Sequence, residues 1–149
     1  MTLKDKLAAQ RIYILLAALF ITSLVVTNLI FQKFFYWYPF DMEIFGSKLF
    51  EISVGILPYP ITFLITDLIS EIYGKKRAND VVVTGIFASL FSLLIIFMAD
   101  AVPATSWSYV KDDTFQTVFG NSMIAVFASM LTYLFAQFVD IQIYHFWKR

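Results

Sequence analysis

Residues 12–32 read IYILLAALFITSLVVTNLIFQ and carry no formal charge between Arg11 and Lys33. A bilayer core of about 30 Å requires roughly 20 apolar residues in a helix, so this stretch predicts a transmembrane span. The rest of the chain has the same character, because 60% of its 149 residues are hydrophobic and only 15% are charged. A soluble domain of this size could not bury so much apolar surface. The sequence therefore predicts an integral membrane protein.

The composition disfavours several other classes of protein. Eleven basic and eleven acidic residues give a net charge of zero, so no basic field favours nucleic acid as a partner. The chain has no cysteine, and its single histidine, His145, makes no convincing metal site. No nucleophile lies in a recognisable pattern with a base. We expect no enzyme, no metal and no cofactor, although an intramembrane enzyme that uses paired carboxylates as acid and base is an alternative.

Two further apolar runs predict two more spans. Residues 81–99 are uncharged, and Asn79 or Asp80 is placed to cap the start of that helix. Residues 122–147 are largely apolar, and their most polar side chains are Gln137, Asp140, Gln142 and His145, which predicts a longer and tilted span.

The segment between the first two uncharged runs is irregular. Pro58 and Pro60 interrupt it, because proline lacks a helix donor and its ring obstructs the preceding turn. We expect the helix to start near Pro60, so that this span is broken. Residues 42–54 alternate around the pair Gly46-Ser47 and predict a short hairpin with a two-residue turn. The predicted fold is an all-α polytopic membrane protein with one membrane domain and four spans, at about 12–32, 55–73, 81–99 and 122–147.

Lysine and arginine are unevenly distributed between the two predicted sides of the membrane. One side receives Lys4, Lys6, Arg11, Lys75, Lys76, Arg77, Lys148 and Arg149, and the other receives Lys33, Lys48 and Lys111. Because short cytoplasmic loops carry the excess of positive charge, both termini are predicted to face the cytoplasm. The aromatic residues 34–38 then suit the outer interfacial belt.

An ionisable side chain at membrane depth is costly and usually marks a pathway, a ligand site or a structural partner. Asp67 is the strongest candidate, since it lies about 10 Å from the expected end of its helix at Gly74. Glu71 follows at i+4 on the same face, and Lys75 is predicted to continue the row. The alternative interpretation is that Glu71 pairs with Lys75 and only sets the depth of the helix.

The last predicted span carries a second polar face. Tyr133, Gln137, Asp140 and Tyr144 follow each other at steps of four, three and four. These residues predict either a ligand site or interhelical hydrogen bonds that pack the bundle. Asn28, in the first span, has the same two interpretations.

The two polar faces resemble each other at an offset of 70 residues. Residues 131–139 read LTYLFAQFV and residues 61–69 read ITFLITDLI, so that Asp67 corresponds to Gln137. This similarity indicates either a parallel repeat of two-helix units, with a site between the repeats, or chance likeness between apolar helices.

Residues 60–77 read PITFLITDLISEIYGKKR and closely resemble the signature of the queuosine precursor transporter family, formerly the vitamin uptake transporter family. Residues 136–140 read AQFVD and resemble the small-Gln-x-x-Asp segment of that family. The resemblance implies a multi-pass importer in the bacterial inner membrane. Its implied substrates are queuosine precursors, 7-deazaguanine bases such as preQ0 and preQ1 that are used to make queuosine in tRNA.

The chain departs from this family in the number of its spans. Family members usually have six spans, whereas the sequence predicts four. The resemblance therefore implies either a fragment that lacks the last two spans or two copies that assemble into a homodimer to complete a site.

The predicted side chains suit a nucleobase-like substrate. A 7-deazaguanine offers an N1–H and an exocyclic amine, and one carboxylate can accept both hydrogen bonds. Aromatic rings could stack on the heterocycle. The predicted substrate-binding residues are Asp67, Glu71, Gln137, Asp140, Tyr133, Phe63 and Asn28.

Two other functions fit the same sequence. One is a substrate-capture subunit of a larger energised importer, which would bind the ligand without moving it alone. The other is a structural membrane subunit, in which the polar faces only pack helices. The expected partners are a small nucleobase-like molecule and the lipid bilayer, and not nucleic acid.

Overall fold

The computed structural model describes residues 3–36, 43–44, 47–48, 51–120, 126–133 and 135–136. The chain divides into two compact units, Met1–Ile95 and Ile96–Arg149. In the described residues, three helical segments are long and apolar enough to cross a membrane: Leu3–Ile30, Val54–Tyr73 and Lys75–Asp100. These segments confirm the predicted helical membrane architecture, and the count of four spans stays a prediction.

Helix α1, Leu3–Ile30, contains most of the first predicted span. It begins nine residues before the predicted start at residue 12. It also ends two residues early, because the amide of Lys33 bonds the carbonyl of Ile30 at 3.2 Å and turns the chain. Its buried side chains are Phe20, Leu24 and Thr27, at helical spacing.

Four short strands follow α1. Strand β1, Phe34–Tyr36, pairs antiparallel with β4, Glu51–Ser53. Between them, β2, Glu43–Ile44, pairs antiparallel with β3, Ser47–Lys48. The predicted hairpin is thus confirmed in β2 and β3, and the pairing of β1 with β4 was not predicted.

The position of the hairpin turn was predicted wrongly. Ser47 pairs with Ile44, so residues 45–46 connect the strands and Ser47 belongs to β3. The predicted turn at Gly46-Ser47 lay one residue too late, because alternation alone does not fix the register of so short a pair.

A break precedes the second helix, as the two prolines predict. Val54–Ile56 form a single 3₁₀ turn, and helix α2 begins after Pro58 and covers Tyr59–Tyr73. Pro60 lies in the first turn of α2, where a missing amide donor costs nothing. The hydroxyl of Ser53 accepts a hydrogen bond from the amide of Gly55 at 3.1 Å and donates one to the carbonyl of Phe31. The break is therefore anchored to the end of α1.

Helix α2 ends at Tyr73, and α3, Lys75–Asp100, begins after a single residue. Gly74 makes this possible with a φ of 86°, a left-handed conformation that glycine adopts without strain. Its carbonyl accepts hydrogen bonds from the amides of Arg77 and Ala78 at 3.1 and 3.3 Å. The predicted cap at Asn79 or Asp80 was wrong, because the basic residues already form the first turn of α3.

The described part of the second unit contains a loop and short helices. Helix α4 covers Asp112–Phe115, and a π-helical turn, Gln116–Gly120, follows it. The Asp112 carboxylate secures the loop by accepting a hydrogen bond from the amide of Ala104 at 2.8 Å. Residues 126–133 and 135–136 are helical, and the rest of the predicted span at 122–147 lies outside the described residues.

Candidate functional site

Helix α2 has two different faces. Thr62, Ile65, Thr66 and Ile69 are buried at helical spacing along one side. The hydroxyl of Thr66 is satisfied by the carbonyls of Thr62 and Phe63 on its own helix. The buried face thus packs against the protein with its polar groups already hydrogen-bonded. A substrate contact is therefore sought on the opposite face.

Asp67 lies on that opposite, exposed face. It is eight residues from the start of α2 at Tyr59 and six from the end at Tyr73, or about 12 and 9 Å along the axis. Within the described part of the chain, its carboxylate makes no hydrogen bond and no ion pair. A charge near the middle of an apolar helix, turned away from the packed face, requires water, protein or a ligand against it.

The neighbours of Asp67 on this face are Phe63 and Glu71, one helical turn to either side. The Phe63 side chain is 42% exposed, and its ring centroid lies 6.3 Å from that of Tyr59. We call Phe63, Asp67 and Glu71 the α2 stripe. It combines one accessible aromatic ring with two accessible carboxylates, as the sequence predicted.

Lys75 does not continue the α2 stripe. The prediction was wrong because the helix ends at Tyr73 and Gly74 redirects the chain, so Lys75 belongs to α3.

Asn28 belongs to a separate polar contact, between α1 and α3. Its side-chain amide donates a hydrogen bond to the hydroxyl of Ser89 at 3.4 Å, and Ser89 is almost fully buried. The neighbouring Thr27 is also buried, and its hydroxyl has no hydrogen-bond partner. No hydrogen bond in the described residues joins Asn28 to Asp67. The hydrogen bond to Ser89 gives Asn28 a packing role, one of the two interpretations that the sequence left open.

Sequence reasoning missed Ser89, although a signal was present. Gly85 and Ser89 are small residues four positions apart in an apolar helix, a spacing that lets membrane helices approach closely. A Cβ atom on Gly85 would come within 2.7 Å of Phe20 Cε1 and 3.1 Å of Leu24 Cδ2. The Gly85–Ser89 pair therefore marks the surface of α3 that receives α1.

The remaining predicted residues belong to the second unit. Tyr133 is helical and buried. Gln137 and Asp140 lie outside the described residues. Their roles stay predictions.

The described residues contain no group of three or more His, Cys, Asp or Glu side chains that could hold a metal ion. The chemistry available on the α2 stripe is that of two acceptor carboxylates beside an aromatic ring. Such a surface can accept hydrogen bonds from adjacent donors on a flat polar molecule and stack against its face.

Comparisons with known proteins agree with the resemblance found in the sequence. A curated relative from Bacillus subtilis (strain 168), named "Probable queuosine precursor transporter", is 26% identical over 103 residues, which is 69% of this chain and 43% of the relative. The chain thus spans less than half the length of that relative. No solved structure matches the chain. The model of the family described as "Putative vitamin uptake transporter" matches residues 53–149, or 97 of the 149 residues, and includes the whole of the α2 stripe. The chain therefore belongs to this family of membrane transporters.

Proposed function

We propose that the chain forms all or part of an importer for queuosine precursors, and that the α2 stripe contacts the substrate. The observation that carries this proposal is the carboxylate of Asp67, which is exposed near the middle of an apolar helix and has no partner among the described residues. The name of the Bacillus subtilis relative supplies the class of substrate. The proposed substrates are 7-deazaguanine bases such as preQ0 and preQ1.

The chemistry of the α2 stripe suits such a base. A deazaguanine presents an N1–H and an exocyclic amine side by side, and the two oxygens of the Asp67 carboxylate can accept both hydrogen bonds. Phe63, one turn away, offers a ring face on which the heterocycle can stack for roughly 1–3 kcal/mol. Glu71 lies on the other side of Asp67 and could receive the base as it moves along the helix.

Energetics favour a pathway over a lipid-facing role for this surface. A carboxylate at membrane depth costs at least about 2.5 kcal/mol when it faces lipid, which is a large part of the stability of a small domain. The chain could avoid that cost if Asp67 lined a water-filled route or met a polar substrate. We also propose Gln137, Asp140 and Tyr133 as substrate-binding residues, on the sequence pattern alone.

The distribution of charge supports an orientation. Tyr13 of α1 contacts Arg77 of α3, so the basic start of α1 and the basic residues 75–77 lie at one end of the first unit. By the positive-inside rule, we propose that this end faces the cytoplasm and that the membrane is the bacterial inner membrane.

The proposal is tested by uptake in a bacterium that lacks its own importer and its own synthesis of queuosine. Cells expressing the chain are given labelled preQ1, and both uptake and queuosine in tRNA are measured. Asp67→Asn keeps the shape of the side chain but removes the charge and one acceptor, so we expect uptake to fall about 30-fold, or about 2 kcal/mol. Asp80→Asn, at another exposed acidic residue, is the matched control and should transport normally. Equal uptake by Asp67→Asn and the unaltered chain would refute the assignment.

A further inference from the structure

A pocket of about 370 Å³ lies at the basic end of the first unit. It opens between the first turns of α1 and the junction of α2 with α3, and we call it the junction pocket. Its walls are formed by Lys6, Ala9, Gln10, Tyr13, Tyr73 and Arg77. None of these residues belongs to the α2 stripe or to the contact of Asn28 with Ser89.

Two tyrosines give the junction pocket a fixed wall. The Tyr73 hydroxyl donates a hydrogen bond to the carbonyl of Ala9 at 2.7 Å, and the Tyr13 hydroxyl donates one to the carbonyl of Arg77 at 3.3 Å. The two rings meet edge to face, with centroids 5.3 Å apart. Each hydroxyl thus joins two helices, and the rings present apolar surface to the pocket.

The charged groups of the junction pocket are cations. The guanidinium carbon of Arg77 lies 4.9 Å from the centroid of the Tyr13 ring, a cation–π contact that fixes the side chain and leaves the edge of the guanidinium available. Lys6 lies on the same pocket, and no acidic side chain lines it. In the part of the chain that the structure describes, neither Lys6 nor Arg77 forms an ion pair. Two cations that lack a counter-ion among the described residues, beside an open pocket, favour an anionic ligand.

The surroundings indicate that this anion belongs to a lipid. Ile14 follows Tyr13 in the chain, and Ile72 precedes Tyr73. Both isoleucine side chains are more than half exposed. Each helix that contributes a tyrosine to the pocket thus also carries an exposed apolar side chain next to that tyrosine in sequence, a combination that suits a phosphate headgroup with acyl chains attached. Basic pockets between membrane helices on the cytoplasmic side are a recurring site for anionic lipid headgroups.

We propose that the junction pocket binds the phosphate headgroup of an anionic phospholipid, with Arg77 and Lys6 as the phosphate-binding residues. Arg77 would pair with the phosphate through the edge of its guanidinium while its face stays on Tyr13. The bound lipid would join the start of α1 to the start of α3. This proposal does not depend on what the chain transports.

The test measures lipid binding by the full chain, purified in a neutral detergent, with native mass spectrometry. The probes are dioctanoyl phosphatidylglycerol, dioctanoyl phosphatidylcholine and inorganic phosphate. We expect phosphatidylglycerol to bind in preference to phosphatidylcholine, and Arg77→Gln and Lys6→Gln each to weaken its binding about fivefold, the loss expected for one cation near a lipid surface. Arg77→Lys, which keeps the charge, should retain most of the affinity.

Lys4→Gln and Lys76→Gln are the matched controls, because both remove an exposed cation near the junction pocket that does not line it. They should leave binding unchanged. Lys6 is exposed, so Lys6→Gln keeps the test valid even if Arg77→Gln fails to fold. Equal loss in the controls, or full binding by both pocket variants, would overturn the proposal. Competition by inorganic phosphate at the same concentration as the lipid would also overturn it, since the ligand would then be a free anion.

Discussion

Asp67 and Asn28 are both polar residues within apolar helices, but they differ in exposure and in hydrogen bonding. Asn28 is paired with Ser89 between α1 and α3, beside the closely packed contact of Gly85 with Phe20. Asp67 lies on the exposed face of α2, and no partner for it exists among the described residues. A paired polar group between helices is sufficiently explained by packing, whereas an unpaired carboxylate at membrane depth is not. Packing therefore explains Asn28, and Asp67 stays the proposed substrate contact.

The largest expected effect is on transport, at Asp67. Asp67→Asn should lower uptake of labelled preQ1 about 30-fold, because the charge and one of the two acceptor oxygens proposed to bind the base are lost. The side chain is exposed, so the free energy of unfolding should change by less than about 0.5 kcal/mol. Uptake and denaturant unfolding of the same preparation check both values. If Asp67→Asn lowers the free energy of unfolding but still transports preQ1, Asp67 has a role in packing and not in substrate contact.

The next largest effect is expected on stability, at Gly55, which packs against Phe31 after the end of α1. A Cβ atom there would lie 2.9 Å from Phe31 Cβ and 3.1 Å from Phe31 Cα, and the backbone cannot easily move away. Gly55→Ala should therefore reduce the free energy of unfolding by about 2 kcal/mol, measured by denaturant titration in detergent.

Gly74→Ala is the matched control for that substitution. Nothing lies within 4 Å of a Cβ at Gly74, but its φ of 86° strains any other residue. It should cost about 1 kcal/mol through conformation alone. Stability of Gly55→Ala equal to that of the unaltered chain would show that α1 and the break before α2 are not packed as closely as described.

A smaller effect on transport is expected at Phe63. Phe63→Leu keeps an apolar side chain but removes the ring, so the KM for preQ1 uptake should rise about fivefold, or about 1 kcal/mol, through lost stacking. Phe87→Leu, at an exposed phenylalanine of α3, is the matched control. If both variants transport alike, the ring of Phe63 does not contact the substrate.

The smallest effect is expected at Asn28. Asn28→Ala should reduce the free energy of unfolding by about 0.6 kcal/mol, the average for an interhelical hydrogen bond in a membrane, and leave the KM for preQ1 unchanged. Ser89→Ala removes the same hydrogen bond from the other helix and should match it. If the KM for preQ1 rises in Asn28→Ala but not in Ser89→Ala, Asn28 contacts the substrate.

Local signals in the sequence predicted α2 well. Pro58 and Pro60 set its start and Gly74 its end, because the effects of proline and glycine on the backbone do not depend on distant residues. The shared face of Asp67 and Glu71 followed from their i+4 spacing alone.

Features that depend on distant contacts were predicted less well. The start of α3 was placed too late because charge was taken to mark a loop, whereas Gly74 allows the basic residues to be helical at once. Strands β1 and β4 pair across fourteen intervening residues, and the alternation of residues 42–54 does not indicate β1 as the partner of β4. The hydrogen bond of Asn28 to Ser89 depends on which helix faces which, and periodicity within single helices cannot decide that.

The most direct test of this account is calorimetric titration of preQ1 into the purified chain and its Asp67→Asn and Asn28→Ala variants, each reconstituted in nanodiscs. Because binding does not require movement across the membrane, it reports on the site alone. We expect Asn28→Ala to bind preQ1 as the unaltered chain does, and Asp67→Asn to bind it about 30-fold more weakly. Unchanged binding by Asp67→Asn, with or without a loss in Asn28→Ala, would contradict it.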